Sequence, residues 1–168
     1  MLWTHRRYSP EVIASMVAAL REILTQHRYR QVLLIGYSGG GTVAWLMGGQ
    51  LPDTVGVVTI AANLDVGAWT KIHGYSTMEG SLNPATLPQL SFAIVQVNYF
   101  GGRDQNVPPS VIRSFARSHP EAKEVEIAEF DHICCWIKRW PGLLEEAVGT
   151  SVNDRRTRLK GAQNMGWA

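Results

Sequence analysis

Apolar and polar positions recur along this chain with two periods, and the switches between them outline alternating helices and strands. Ser9-Pro10-Glu11 reads as a helix entrance, with serine as cap and proline at the first helical position. Val12, Met16, Leu20 and Ile23 then recur at helical spacing to about His27. "QVLLIGY" (31–37) is an unbroken apolar run, the mark of a strand buried on both faces. Gly39 to Gly49 is rich in small residues and then apolar, which suits a helix packed tightly behind a turn. "VGVVTIAA" (55–62) and "SFAIVQVNYF" (91–100) read as two more buried strands, the latter ended by Gly101-Gly102. "KEVEIAEF" (123–130) alternates weakly and reads as a fourth strand at a sheet edge.

Pro108-Pro109 opens a helix through Val111, Ile112, Phe115 and Ala116, and Ile133–Arg139 and Pro141–Val148 read as two short helical pieces. Asn63 to Gln89 has no clear period, so it is expected to be a loop serving as a lid or pocket wall. Strands alternating with helices predict an α/β fold with a parallel sheet of about four strands flanked by helices. Each crossover is a single helix or loop, so the strands are expected side by side in chain order.

At 168 residues the chain fits one domain, placed at 1–150. Arg155, Arg156, Arg158 and Lys160 against Asp154 give the segment 151–168 a charge of +3, and it reads as a loose polar tail. The formal charge is +2, so the body stands at −1, which argues against a nucleic-acid face. No apolar run approaches the length of a spanning helix. "MLWTHRRYSP" has no apolar stretch after its basic pair, so no signal peptide is legible and the default location is cytoplasmic. The adjacent Cys134 and Cys135 are expected to be two buried thiols in a helix, because neighbouring Cα atoms across a trans peptide lie below the usual disulfide range. Their spacing does not suit zinc, and no metal or cofactor is implied.

The chemistry concentrates in "IGYSGGGTVAW" (35–45), which admits three readings. Gly36-Tyr37-Ser38-Gly39-Gly40 fits G-x-S-x-G, the sharp turn that presents a nucleophilic serine. Gly39 to Ala44 fits the dinucleotide pattern G-x-G-x-x-A, with Asp65 near the place of a ribose-binding acid. Gly36 to Gly41 has phosphate-loop spacing, but Thr42 stands where that loop needs lysine. In an open parallel sheet, ligands gather at the carboxyl ends of strands. Ser38 ends the first strand, Asn63 and Asp65 follow the second, Asp104 the third and His132 the fourth. Serine, acid and histidine in that chain order match a hydrolytic triad, which the dinucleotide reading leaves unexplained.

Through "GYSGGG", "GGRDQNVPP" and "EFDHICCW" the sequence resembles the α/β-hydrolase family, from about Ser9 to Val148. The resemblance implies Ser38 as nucleophile, His132 as general base and Asp104 as the acid that orients it. It also implies the Gly39 N–H as one oxyanion donor and ester hydrolysis through an acyl-enzyme. Asp65 is the rival acid, and otherwise helps shape a substrate pocket with Tyr37, Trp69 and Tyr75. A Cβ at Gly36 or Gly40 is expected to clash in the crowded turn.

The family's fold normally has eight strands, with the serine after the fifth. Here 31 residues precede Val32, so the resemblance covers only the C-terminal part of the fold, an N-terminally truncated version of it. The strands and Gly-rich loop that supply a second oxyanion N–H are absent from the sequence. The alternative is accordingly an incomplete hydrolase that binds without turnover. The same truncation leaves 32–37 as an apolar edge strand, expected to self-associate or to bind a complementary piece.

Overall fold

The computed structural model describes residues 4–149. Four parallel strands, β1 (Val32–Tyr37), β2 (Thr54–Ile60), β3 (Val95–Gly101) and β4 (Lys123–Ile127), form one sheet in the order β1-β2-β3-β4. Between them run α1 (Pro10–His27), α2 (Gly39–Gly48), α3 (Val66–His73) and α4 (Pro109–Ser118), and residues 136–149 are helical beyond β4. Strand order is thus the one read from the single-element crossovers. The tail expected at 151–168 lies outside the described residues.

α1 begins as its sequence demands. The Ser9 hydroxyl accepts the Val12 N–H, Pro10 occupies the first turn, and the helix stops where Arg28 turns left-handed and donates back to the Leu24 and Thr25 carbonyls. Its inward face is one residue away from the stripe read along the sequence. Ile13, Val17 and Leu24 are buried with Leu20 packed beside them, whereas Met16 and Ile23 are about half exposed. Two overlapping apolar stripes share this helix, and contact with α2 selects between them.

The sheet separates two cores. Leu34 and Val57 face α1, α2 and α4, with Trp45, Ile112 and Phe115. Val58, Ile60, Val97 and Tyr99 face the helix 136–149 through Trp136, Leu143 and Ala147. Each such aliphatic side chain, fully buried, contributes roughly 1.5–3 kcal/mol. β3 is buried along its whole length, as a central strand should be, and β4 is half-exposed at one edge.

Several local expectations are corrected. The segment 63–89 is not a bare loop: Asp65 caps α3 by accepting the Ala68 N–H, and Asn83 opens a 3-10 turn at Pro84–Thr86. α3 spans only eight residues, too few for an apolar period to register. Pro141 does not divide the last helix, which runs unbroken from 136 to 149. Cys134 and Cys135 lie in a turn, the first exposed and the second half-buried, and are joined to each other across a cis peptide. They are therefore neither free thiols nor helical. Among the described residues no helix is long and apolar enough to cross a membrane.

Candidate active site

Ser38 stands between β1 and α2 with φ 52° and ψ −127°, a backbone conformation that side chains rarely adopt. Its N–H donates to the Ile60 carbonyl, and its own carbonyl accepts from Gly41, so the reversal is held on both sides. The turn is tight enough to fix residue type at Gly36, where an added Cβ would lie 2.2 Å from the Gly40 carbonyl oxygen. Gly40 itself is open, with nothing within 4 Å of such an atom, which corrects the expected clash there. The crowded partner is Gly41, whose Cβ would come 2.5 Å from that of Ala62. The first turn of α2 thus shows Gly40 to solvent and Gly41 to β2. Gly36→Ala is accordingly expected to cost about 1–3 kcal/mol of stability, and Gly40→Ala to stay within about 0.5 kcal/mol. Urea melts of both variants check this, and equal losses would contradict the packing.

His132 follows β4 and reaches back across the sheet end. Its Nε2 lies 3.0 Å from the Ser38 Oγ and its Nδ1 lies 2.8 Å from the Asp104 Oδ2. The Asp104 side chain is fully buried and that of His132 is 16% exposed. The other Asp104 oxygen accepts the N–H groups of Asn106 and Val107, both at 2.8 Å, which fixes the carboxylate in its loop. An ionised carboxylate can only accept, so Nδ1 carries the ring proton and Nε2 is left to accept from the Ser38 hydroxyl. Ser38, Asp104 and His132 are therefore brought together as their strand-end positions implied.

The loop around His132 is held from several directions. The Tyr37 hydroxyl donates to the His132 carbonyl, and its ring lies 5.3 Å from the imidazole. Burial, with the charges of Asp104 and Asp131 behind it, pushes the Tyr37 phenol above its ordinary pKa. Asp131 accepts the Cys134 and Ile133 N–H groups, and these bonds lower its carboxyl below the usual range.

The remaining pocket candidates separate. Asp65 does not contact His132; it accepts from Ser114 at 2.7 Å, from Ala68 N–H at 3.0 Å and from Asn83 at 3.1 Å. Burial raises its carboxyl, but the Ala68, Ser114 and Asn83 bonds outweigh burial and hold it below the ordinary aspartate value. With its oxygens so engaged, Asp65 is an anchor for α3 and α4, which also deprives the dinucleotide reading of its ribose acid. The Trp69 indole N–H donates to the Asn106 carbonyl at 2.7 Å, and His73 Nε2 lies 2.8 Å from the same oxygen, so α3 braces the loop that carries Asp104. Trp69 and Tyr75 line a small cavity of about 220 Å³ with Thr70 and Met78. Tyr37 instead lines a separate apolar groove of about 550 Å³ with Ile35, Ile133, Trp136, Ile137 and Trp140. Among the described residues no group of three His, Cys, Asp or Glu side chains could hold a metal ion.

One residue at this site has no counterpart in the sequence motifs. Tyr8, just before the α1 cap, brings its hydroxyl against Gly39. From sequence, an aromatic residue before a serine cap signals only packing onto the first turns of a helix.

No family model matches the chain, and no curated protein matches it by sequence. Solved structures do. An α/β-hydrolase enzyme from the metagenome of lagoon sediments at Mar Chica, Morocco, superposes with a TM-score of 0.61 at 20% identity, over 80% of this chain and 68% of that one. An α-β serine hydrolase homologue from Coxiella burnetii gives 0.57 at 15% identity, over 87% and 58%. The esterase domain of a Rhodothermus marinus protein gives 0.52 at 18% identity, over 71% and 60%. The chain thus spans about 58–68% of the length of these structures. Four parallel strands in order, flanked by helices as in these structures, give this chain the α/β-hydrolase fold.

Proposed function

We propose that this chain is a serine hydrolase that cleaves carboxylic esters through Ser38, His132 and Asp104. The observation that carries the reading is the continuous hydrogen-bonded line from Ser38 Oγ through His132 to the buried Asp104, at 3.0 Å and 2.8 Å. A serine hydroxyl is a poor nucleophile until a base accepts its proton, and an imidazole does this at neutral pH. In the first step Ser38 Oγ attacks the ester carbonyl carbon while its proton passes to His132 Nε2. The carbonyl electron pair moves onto oxygen, which in this reading accepts from the Gly39 N–H at the start of α2, aided by the positive end of the helix. Collapse expels the alcohol, which takes the proton from His132. Water then repeats the sequence on the acyl-enzyme and releases the acid. Asp104 holds the imidazole in the tautomer this needs and stabilises the imidazolium. The esterase domain among the structural neighbours is consistent with an ester substrate.

The competing reading is a hydrolase fold that binds without turning over. A fluorophosphonate separates the two. Labelling of the wild-type chain at Ser38, lost in Ser38→Ala and strongly slowed in His132→Ala, is the expected result. An unlabelled wild type, or labelling that persists unchanged in His132→Ala, removes the proposal.

A further inference from the structure

His132 stands on an irregular segment, yet its imidazole meets two partners at once. Residues 128–135, between β4 and the last helix, are turns, bends and irregular chain. Asp131 accepts the Ile133 and Cys134 N–H groups, and its carbonyl accepts the Trp136 indole N–H. These bonds fold the turn on itself and do not set it against the sheet. The Phe130 carbonyl accepts the Arg103 N–H at 2.9 Å, which ties the segment to the end of β3. An imidazole carried on rotatable bonds keeps its contacts only as well as its own backbone is held.

A tie at His132 itself comes from β1. The Tyr37 hydroxyl donates to the His132 carbonyl, and its ring lies 5.3 Å from the imidazole, tilted by 40°. Tyr37 is the residue before Ser38, so this contact closes a circuit. The circuit runs from the Tyr37 hydroxyl to the His132 main chain, from His132 Nε2 to the Ser38 Oγ at 3.0 Å, and back through one peptide bond. Tyr37 is 43% exposed and belongs to neither core, so loss of its hydroxyl leaves the packing of the sheet intact. Burial, then the charges of Asp104 and Asp131, raises the phenol above its ordinary pKa. It therefore stays an O–H donor through the pH range in which an imidazole becomes a neutral base.

Resting on the reading of Ser38 as nucleophile and His132 as its base, we infer that Tyr37 is a positioning residue. Its hydroxyl fixes the His132 backbone, and through it the imidazole, against the serine that follows Tyr37 in the chain. Asp104 sets which nitrogen carries the proton, whereas Tyr37 sets where the other nitrogen lies. Tyr37 gives up no proton and touches no reacting atom. A residue that only walls a pocket acts on substrate binding and is felt in KM. A residue that holds the base in place acts on proton transfer from Ser38 and is felt in kcat.

Hydrolysis of p-nitrophenyl acetate tests this. Tyr37→Phe keeps the ring, loses the donor and is expected to lower kcat about tenfold, on the scale of one hydrogen bond. KM and the melting temperature should change little. Tyr37→p-aminophenylalanine, which restores an N–H donor at the same place, should recover most of that loss. In a His132→Ala background, Tyr37→Phe should slow fluorophosphonate labelling of Ser38 no further, because its effect passes through the imidazole. Should Tyr37→Phe fail to fold, the p-aminophenylalanine chain decides, since a kcat there well below wild type overturns the inference. Wild-type kcat in a folded Tyr37→Phe, a change confined to KM, or a loss that persists in His132→Ala overturns it while leaving Ser38 as nucleophile intact. A wild-type chain with no Ser38-dependent turnover removes both.

Discussion

Asp104→Asn is expected to lower ester turnover toward 10⁴-fold, the scale on which a triad carboxylate matters, without unfolding the chain. Asparagine keeps an oxygen for the Asn106 and Val107 N–H groups that now bond Oδ1. Its amide, however, presents a donor to His132 Nδ1, which sits 2.8 Å from Oδ2. Nδ1 then becomes an acceptor, Nε2 takes the proton, and the Ser38 hydroxyl faces a donor where it needs a base. Asp65→Asn supplies the control. Asp65 bonds Ala68, Asn83 and Ser114 rather than His132, so its loss should lower stability and spare kcat.

The pH dependence of the control has a definite sign. The Asp65 carboxyl is depressed in the folded chain despite burial, by bonds from Ala68, Ser114 and Asn83. Its contribution to stability is therefore present above the unfolded aspartate pKa of about 3.9, and is lost as pH falls through the lower folded value. Steady-state kinetics and urea melts of both variants between acid and neutral pH make the measurement. A turnover loss in Asp65→Asn larger than that in Asp104→Asn would assign the acid to the wrong strand.

Ser38, Asp104 and His132 were legible because a parallel sheet projects the residues after its strands onto one end, and few of those residues were polar. Strand existence was equally legible, since β1, β2 and β3 are apolar runs too short to be helices. Their limits were less so. Ala61, expected within the second strand, has φ 47° and ends it, and the exposed Phe92 lies in a turn before β3 although its neighbours are apolar. The α1 face was misplaced by one residue because a helix with two apolar stripes is resolved only by its neighbour. Asp65 illustrates a different limit. Its position after β2 was correct, but whether it faces His132 or Ser114 depends on α4, which is remote in sequence. Tyr8 was invisible for the same reason: only the fold brings the segment before α1 against the first residue of α2.

β1 is expected to drive self-association of the chain. It lies at the end of the strand order, and among the described residues its outer edge has no ladder partner. One of its faces is covered, with Leu34 buried against the core that includes α1 and α2. The other is not: Ile35 is 39% and Tyr37 43% exposed, beside Ile133 at 83% and Ile137 at 91% on the far wall of the same groove. No charged side chain interrupts Val32–Tyr37, so nothing in the strand repels a second copy. Antiparallel pairing of β1 with β1 of another copy about a two-fold axis would close both edges and bring both apolar grooves onto one sheet face. At roughly 1.5–3 kcal/mol for each aliphatic side chain fully buried, partial covering of these groups in two copies is comparable with the stability of a domain, about 5–15 kcal/mol. Light scattering across about 1–100 µM, the range where an association free energy near −8 kcal/mol is visible, should show mass rising with concentration. Ile35→Lys, which places a charge on the uncovered face of that strand, should hold the chain as a monomer with its fold intact. A mass that stays monomeric at every concentration, with slow amide exchange along residues 32–37, would show that the edge is satisfied within one chain and end the prediction.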